Sequence, residues 1–291
     1  AAQYFTRQYD AALDLIKQGL AKEPNSFVLN RLLMYTSNDT QDYATGLAAG
    51  EKFFSLPKDA DSKYLLQDFM AYANILSESG KKVEAVEEYK KAIALDPSKI
   101  EINKDVATML SKEKMYPEAA EFLGKYIELS GESATAQDYF QMGRYYYFGG
   151  ATVDTTGLTV EQVKEKSFEL YKKADAAYAV VQERVPDSHL GVYQRALTNY
   201  RMDPNSEQGL AKPYYEQTIE VILAKPEQDS ADASVLVEAY SYLSYYYYLQ
   251  FEKSKSADDK AKVKQYAEKV LELDPENANG KTLFDFANAK Y

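Results

Sequence analysis

The sequence predicts an all-α protein built from a series of paired, short amphipathic helices. Apolar residues recur at steps of three and four along much of the chain, which is the period of one face of an α-helix. Glycine and proline interrupt this pattern where a turn or a helix end is needed. The clearest example is the stretch 64–97, in which two such helices and a turn occupy 34 residues.

The stretch 64–97 serves as the reference unit for the rest of the chain. Each of its two predicted helices carries one apolar face. The residues on these faces are Phe69, Tyr72, Ala73, Leu76, Ala85, Tyr89 and Ala92. Gly80 separates the helices and suits the left-handed conformation that follows a helix end. Pro97 closes the unit, because proline has no amide hydrogen and cannot continue a helix.

The order and spacing of these residues, with Pro97, resemble the tetratricopeptide repeat (TPR) of bacterial proteins, a 34-residue helix–turn–helix unit. The resemblance implies a right-handed α-α superhelix, the TPR solenoid, in which the first helix of each unit lines a concave groove. It also implies a protein that acts by holding partners. The resemblance does not identify the partner, because one fold serves many functions.

The same spacing divides the whole chain into units. We predict a single solenoid, 1–291, of about seven helix-turn-helix units, the first truncated, with a C-terminal capping helix. The approximate units are 1–25, 26–60, 64–97, 98–131, 134–186, 188–226 and 234–275, and the cap is 278–291. Polar connectors are predicted at 58–62, 225–233 and 252–259. Only a stub precedes the second helix of the first unit, so we expect further residues upstream of Ala1.

The fifth unit contains an insertion at 149–165. Its first helix is predicted over 134–148 and is expected to end at Gly149 and Gly150. Thr159 and Gln162 have the spacing of a capping box, so the second helix should start there and reach Val185. Such a helix is roughly 35–40 Å long at 1.5 Å per residue. The insertion is either a tolerated surface loop or a lid or docking surface beside the groove.

Composition narrows the classes of partner. The 291 residues include 27% charged and 45% hydrophobic residues, which suits a protein with a continuous apolar core. The formal net charge of -11 disfavours nucleic acid, because phosphate binding requires clustered lysine and arginine. No apolar run reaches the roughly 18 residues of a membrane span. There is no cysteine, so disulfides and thiolate metal sites are excluded.

The sequence contains no recognisable motif of catalysis or cofactor binding. Gly280-Lys281-Thr282 lacks the upstream glycine of a phosphate-binding loop, since Pro275 stands at that position. His189 is the only histidine, and we expect it to lie at the start of a helix. There is no HExxH, EF-hand or GxSxG sequence. We therefore expect no catalytic residues, no metal site and no cofactor, and we predict that the protein is not an enzyme.

The groove prediction names nine partner-binding candidates on the first helices of the last three units. They are Phe140, Arg144, Tyr147, Gln194, Thr198, Arg201, Ser241, Tyr245 and Tyr248. Tyrosine and arginine dominate binding hot spots, and arginine can hold a carboxylate in a bidentate manner. The alternative is that the arginines pair with acidic neighbours and the tyrosines only fill space.

The sequence supports two functional hypotheses. The first is a non-enzymatic scaffold that binds an extended peptide or protein segment in the groove. The alternative is a carbohydrate- or small-ligand-binding component of a bacterial envelope system, suggested by the 27 tyrosines. A periplasmic or envelope location after signal removal is slightly favoured over the cytoplasm. The oligomeric state and the pathway do not follow from the sequence.

Overall fold

A computed structural model describes residues 9–57 and 63–289 of the chain. The described residues are 79% helical and contain no strand, as predicted. The helices are α1 (Tyr9–Lys22), α2 (Phe27–Asp39), α3 (Tyr43–Ser55), α4 (Leu66–Glu78), α5 (Lys82–Leu95), α6 (Glu101–Lys112), α7 (Tyr116–Ser130), α8 (Ala136–Ala151), α9 (Val160–Arg184), α10 (His189–Met202), α11 (Lys212–Leu223), α12 (Ser230–Ser254), α13 (Ala257–Leu273) and α14 (Ala278–Asn288).

The chain forms two compact units, Ala1–Asn103 and Lys104–Tyr291, and each is described separately. The boundary falls inside α6. The single continuous solenoid over 1–291 stays a prediction. The predicted connector 58–62, the first eight residues and the last two lie outside the described residues.

The N-terminal unit contains the reference helix pair, α4 and α5, as predicted. The apolar faces of both helices are buried, and Ala73, Ala85, Tyr89 and Ala92 are at most 2% exposed. Gly80 takes φ +80° at the turn, which is the left-handed conformation that glycine tolerates. The apolar faces predicted for these two helices are therefore the buried ones.

An aromatic core joins α2, α3 and α4 in the same unit. Phe53 is fully buried, and its ring centroid lies 4.5 Å from that of Phe27 and 5.5 Å from that of Tyr64. Phe54 packs against the Tyr72 ring at 5.0 Å. Aromatic rings bury large areas and add a further gain from edge and offset contacts, so this cluster is a principal source of cohesion.

The C-terminal unit repeats the paired-helix plan from α7 to α14, and two connectors and one helix end predicted for this part need correction. Helix α8 does not end at Gly149 and Gly150 but runs through both to Ala151, because the Tyr171 ring packs where a Cβ on Gly150 would lie. Helix α12 begins at Ser230, inside the predicted connector 225–233. The connector predicted at 252–259 is only two residues long, because α12 continues to Ser254 and α13 begins at Ala257.

Helix α9 starts where the sequence predicts, directly after Thr159, and has close to the predicted length. The Thr159 hydroxyl accepts from the Gln162 amide at 3.2 Å, and the Gln162 side chain accepts from the Thr159 amide at 2.9 Å. These bonds complete the capping box. The helix spans 25 residues and ends at Arg184. The predicted capping helix is α14, which begins after Asn277.

Along the described part of the chain, no helix combines the length and the apolar character needed to cross a bilayer.

Candidate functional site on the first helices of the C-terminal unit

The nine predicted partner-binding residues lie on α8, α10 and α12, the first helices of their pairs. The structure places eight of them at least partly at the surface. The partly exposed or exposed residues are Phe140, Arg144, Tyr147, Gln194, Arg201, Ser241, Tyr245 and Tyr248. Thr198 is fully buried. The eight fall into separate local environments.

Tyr147 and Arg201 join neighbouring first helices. The Arg201 Nε donates to the Tyr147 hydroxyl at 3.0 Å, which connects α8 to α10 across 54 positions of sequence. The guanidinium carbon lies 6.0 Å from the Tyr147 ring centroid. This hydrogen bond raises the pKa of Arg201. Arg201 remains exposed despite the contact.

Arg144 and Phe140 lie earlier on the same face of α8. The Arg144 Nη1 donates to the Gln141 Oε1 at 3.4 Å, and its guanidinium lies 5.8 Å from the Phe148 ring. Phe140 packs edge-on against the buried Tyr178 of α9 at 5.7 Å. Arg144 is thus an exposed charge, and Phe140 is partly a packing residue.

The sixth unit shows that the predicted register of α10 is wrong by one residue. Ala196 and Thr198 are fully buried, as Gly143 and Tyr145 are in α8. Matching these pairs places Arg195 at the position of Met142, and both side chains are half-buried. Thr198 is therefore not a partner-binding residue: its hydroxyl donates to the Gln194 carbonyl at 2.7 Å.

Gln194 and Arg201 stay at least partly at the surface, and the corrected register assigns further residues of α10 to the face of the candidates on α8. The equivalents of Phe140, Arg144 and Tyr147 are Tyr193, Leu197 and Tyr200. Tyr200 is 39% exposed. Tyr193, Leu197 and Tyr200 have the apolar spacing of a packed helix face, so the sequence does not single them out as partner-binding candidates.

Arg195 holds a network that explains its partial burial. Its Nε and Nη2 bind the two carboxylate oxygens of Asp175 at 3.0 and 3.1 Å. Nη1 donates to Gln182 at 3.0 Å, and Nη2 also donates to the Tyr214 hydroxyl at 2.9 Å. The network joins α9, α10 and α11 and fixes the register.

The seventh unit contributes an aromatic cleft. Ser241, Tyr245 and Tyr248 of α12 line a cavity of about 510 Å³, which α14 closes on the other side. The residues from α14 are Asn279, Thr282, Leu283 and Phe286. The Tyr248 ring meets the Phe286 ring edge-on at 4.9 Å. Tyr245 is 47% exposed, and its ring lies 6.2 Å from that of Tyr248.

The contribution of α14 to this cleft was missed, although the sequence contains the signal. Asn279, Thr282, Leu283 and Phe286 follow one another at steps of three, one and three residues. This spacing puts all four on one helical face. The face was interpreted only as a cover for the last apolar surface.

The insertion creates two further cavities beside the N-terminal turns of α9. The first, of about 1060 Å³, lies between these turns, the start of α7 and the end of α8. The second, of about 770 Å³, lies between α9 and the end of α10 and includes Arg201. Glu161, Lys164 and Glu165 also line the second cavity. The projecting turns therefore separate two clefts.

The residues considered for catalysis or metal binding occupy structural positions. His189 is the first residue of α10, and its Nδ1 lies 3.5 Å from an Asp232 carboxylate oxygen. Burial lowers the pKa of His189. Gly280 lies in the first turn of α14, where its amide donates to the Asn277 side chain. Within 9–57 and 63–289, no group of three or more histidine, aspartate or glutamate side chains is placed to hold a metal ion.

Comparison with solved structures identifies the fold. The C-terminal part of a TPR repeat-containing protein from Cytophaga hutchinsonii matches with a TM-score of 0.53 and 24% identity, covering 97% of this chain and 96% of that chain. This chain has the tetratricopeptide-repeat fold. YrrB, described as a TPR protein with an unusual peptide-binding site, has a TM-score of 0.42 and 16% identity, covering 74% of this chain and 89% of its own.

The MamA protein is a further match, with a TM-score of 0.37 and 16% identity over 67% of this chain and 91% of that chain. No family model matches the sequence, and no curated protein matches it.

Proposed function

We propose that this TPR-fold chain is a non-enzymatic protein–protein interaction scaffold that binds an extended peptide or protein segment on the first helices of the C-terminal unit. The observation that carries the proposal is the aromatic cleft between α12 and α14. Three of the predicted partner-binding residues, Ser241, Tyr245 and Tyr248, line that one cavity.

The lining of the cleft favours a side chain without charge. None of its seven residues is charged, although 27% of the chain is. Its volume of about 510 Å³ lies within the usual range for ligand sites. Tyr245, Tyr248 and Phe286 supply rigid aromatic area, and tyrosine is enriched at binding hot spots. An apolar or aromatic anchor of the partner segment fits this chemistry.

The remaining contacts extend along α8 and α10. Phe140, Arg144, Tyr147, Gln194 and Arg201 are the proposed partner-binding residues there. Tyr200 joins them because it is exposed and lies on the corrected face of α10. An extended segment presents side chains at regular intervals, so separate anchor points along successive helices suit such a ligand.

The proposal is tested by selecting peptides from a displayed random library on the wild-type protein and measuring their affinities by fluorescence anisotropy. Arg144→Ala combined with Tyr245→Ala should weaken the selected peptides at least tenfold. Its thermal unfolding curve should stay close to that of the wild type, because both side chains are exposed.

A matched control distinguishes binding from packing. Tyr126→Ala removes a partly exposed tyrosine from α7, a second helix, and should leave affinity unchanged. Failure to select any peptide, or equal losses of affinity and stability in the double variant, would contradict the proposal.

A further inference from the structure

The arginines of the C-terminal unit differ in how their charges are neutralised. Arg195 is paired with Asp175, as described above. Arg184 donates to the Ala134 carbonyl and stacks on the Tyr139 ring at 4.7 Å. Arg144 and Arg201 are exposed, and among the described residues their side chains donate to neutral acceptors, the Gln141 side-chain oxygen and the Tyr147 hydroxyl.

The absence of a carboxylate partner is unusual for this composition. The chain has 45 acidic residues against 34 basic ones. Yet within the part of the chain that the structure describes, no carboxylate oxygen lies within 4.0 Å of Arg144 or Arg201. Glu161 and Glu165 line the same cavity as Arg201 without pairing with it. A neutral acceptor orients a guanidinium but does not cancel its charge.

The side chains of Arg144 and Arg201 both lie near Tyr147. Arg144 precedes Tyr147 by three positions on α8, so both side chains lie on the same helical face. Arg201 reaches the Tyr147 hydroxyl from α10 with Nε, which leaves the Nη groups on the other edge of its fork. A guanidinium carries five N–H donors in a fixed geometry that matches a carboxylate. The arrangement presents two anion receptors on adjacent first helices.

We propose that Arg144 and Arg201, here called the arginine pair, bind side-chain carboxylates of an acidic partner segment. The proposal rests on the function proposed above and specifies the chemistry of the partner. A segment that satisfies both sites carries aspartate or glutamate for the arginine pair and an apolar or aromatic residue for the uncharged cleft. The net charge of -11 means that acidic segments meet general repulsion elsewhere, so attraction at this pair confers selectivity.

The test compares peptides that the wild-type protein selects from the displayed library, each synthesised with a C-terminal amide to exclude the terminal carboxylate. Aspartate or glutamate should be enriched at one or two positions. Replacing these by asparagine or glutamine should weaken binding to the wild type at least tenfold, since hydrogen bonds between charged groups are the stronger class. The affinity of the acidic peptide should also fall with added salt.

The variant Arg144→Gln/Arg201→Gln should lose the preference for the acidic peptide over its amide counterpart. The control Lys125→Gln/Lys269→Gln removes the same total charge from exposed lysines of α7 and α13 and should retain the preference. Selected peptides without acidic enrichment, or an equal response in both double variants, would overturn the inference while leaving the scaffold proposal intact.

Two further outcomes bear on the source of the anion and on the scaffold itself. A phosphoserine peptide that binds the arginine pair more tightly than the glutamate peptide would overturn the assignment to carboxylates. Selection of no peptide at all would contradict the scaffold proposal, and this inference with it.

Discussion

Asp68 of α4 is fully buried against Arg31 of α2, with 2.9 Å between Asp68 Oδ2 and Arg31 Nη2. The same carboxylate accepts the Tyr35 hydroxyl at 2.5 Å and the Leu65 amide at 2.7 Å. One side chain therefore caps the start of α4 and also ties it to the preceding first helix.

Two aspartates of the C-terminal unit likewise cap a helix and bind a cation. Asp138 accepts the Thr135 amide at 2.9 Å and the Lys104 ammonium at 2.6 Å. Asp232 accepts the Asp229 amide at 3.2 Å and the Lys225 ammonium at 2.5 Å. In each case an aspartate three residues after the cap position satisfies a helix terminus and a cation.

Asp68→Ala should destabilise the N-terminal unit by about 3 kcal/mol, because it leaves the Arg31 charge and the Tyr35 hydroxyl without their acceptor. Chemical denaturation followed by circular dichroism measures the loss. Asp14→Ala is the control, since Asp14 is exposed on α1. A loss no larger than that of the control would show that Asp68 does not stabilise the packing of α4.

Asp138 should contribute to stability in a pH-dependent way. Burial alone raises the pKa of Asp138, but hydrogen bonds from Lys104 and Thr135 together outweigh it and lower the pKa below the ordinary value of 3.8. A carboxylate with a lowered folded-state pKa stabilises the fold above its unfolded pKa, and the contribution is lost as the pH falls through the folded value.

Asp138→Asn should therefore be less stable than the wild type near neutral pH. The difference in free energy of unfolding should begin to shrink as the pH falls below about 5 and be lost well below 3.8. Urea unfolding at a series of pH values measures it. A difference that stays constant over this range would contradict the link between the Asp138 charge and stability.

Gly143→Ala should destabilise the C-terminal unit by about 1–3 kcal/mol through overpacking. A Cβ at this position would lie 2.7 Å from Cε1 of Tyr178, whose ring is fully buried and cannot move aside. Gly124→Ala on α7 is a matched control, because its Cβ would meet only Met142 Sδ at 3.5 Å. That variant should gain up to about 1 kcal/mol from helix propensity. Equal effects at the two positions would contradict the close approach of α8 and α9.

The sequence predicts the helix pairs and several of their ends because these depend on local chemistry. Gly80 and the Thr159–Gln162 capping box act within a few residues of themselves. The start of α12 had a comparable signal, since Asp229 and Asp232 have capping-box spacing. The polar composition of 225–233 hid it.

The candidate site was predicted less completely because it depends on contacts between distant segments. The register of α10 is set by the bonds of Arg195 to Asp175 on α9, which no local pattern reveals. The aromatic cleft exists only because α14 packs beside α12. Tyr245 and Tyr248 were identified as candidates, but the cavity that they share with Phe286 required the structure.

Asp203 organises the loop between α10 and α11. Its carboxylate accepts backbone amides from four consecutive residues, at 3.0, 3.0, 2.8 and 3.3 Å. The residues are Glu207, Gln208, Gly209 and Leu210. Asp203→Ala should cost about 2–3 kcal/mol, because the amides, including the buried Gly209, lose a charged acceptor.

Hydrogen exchange followed by mass spectrometry tests the Asp203 prediction locally. Exchange in 207–210 should accelerate in Asp203→Ala and stay at the wild-type rate in Asp105→Ala, which changes an exposed residue of α6. Unchanged protection of the loop in Asp203→Ala would show that other contacts hold it.

Arg195 and Arg201 lie less than two helical turns apart on α10, yet replacement by lysine should affect them differently. Arg195→Lys should destabilise the fold by about 2 kcal/mol, because an ammonium cannot reproduce the bidentate contact with Asp175 and the bonds to Gln182 and Tyr214. Arg201→Lys should change stability by less than about 0.5 kcal/mol, as expected for an exposed side chain. Denaturant unfolding of both variants measures the contrast. Equal losses would mean that the guanidinium network around Arg195 does not set the register of α10, and the reassignment of Thr198 to the interior would lose its physical explanation.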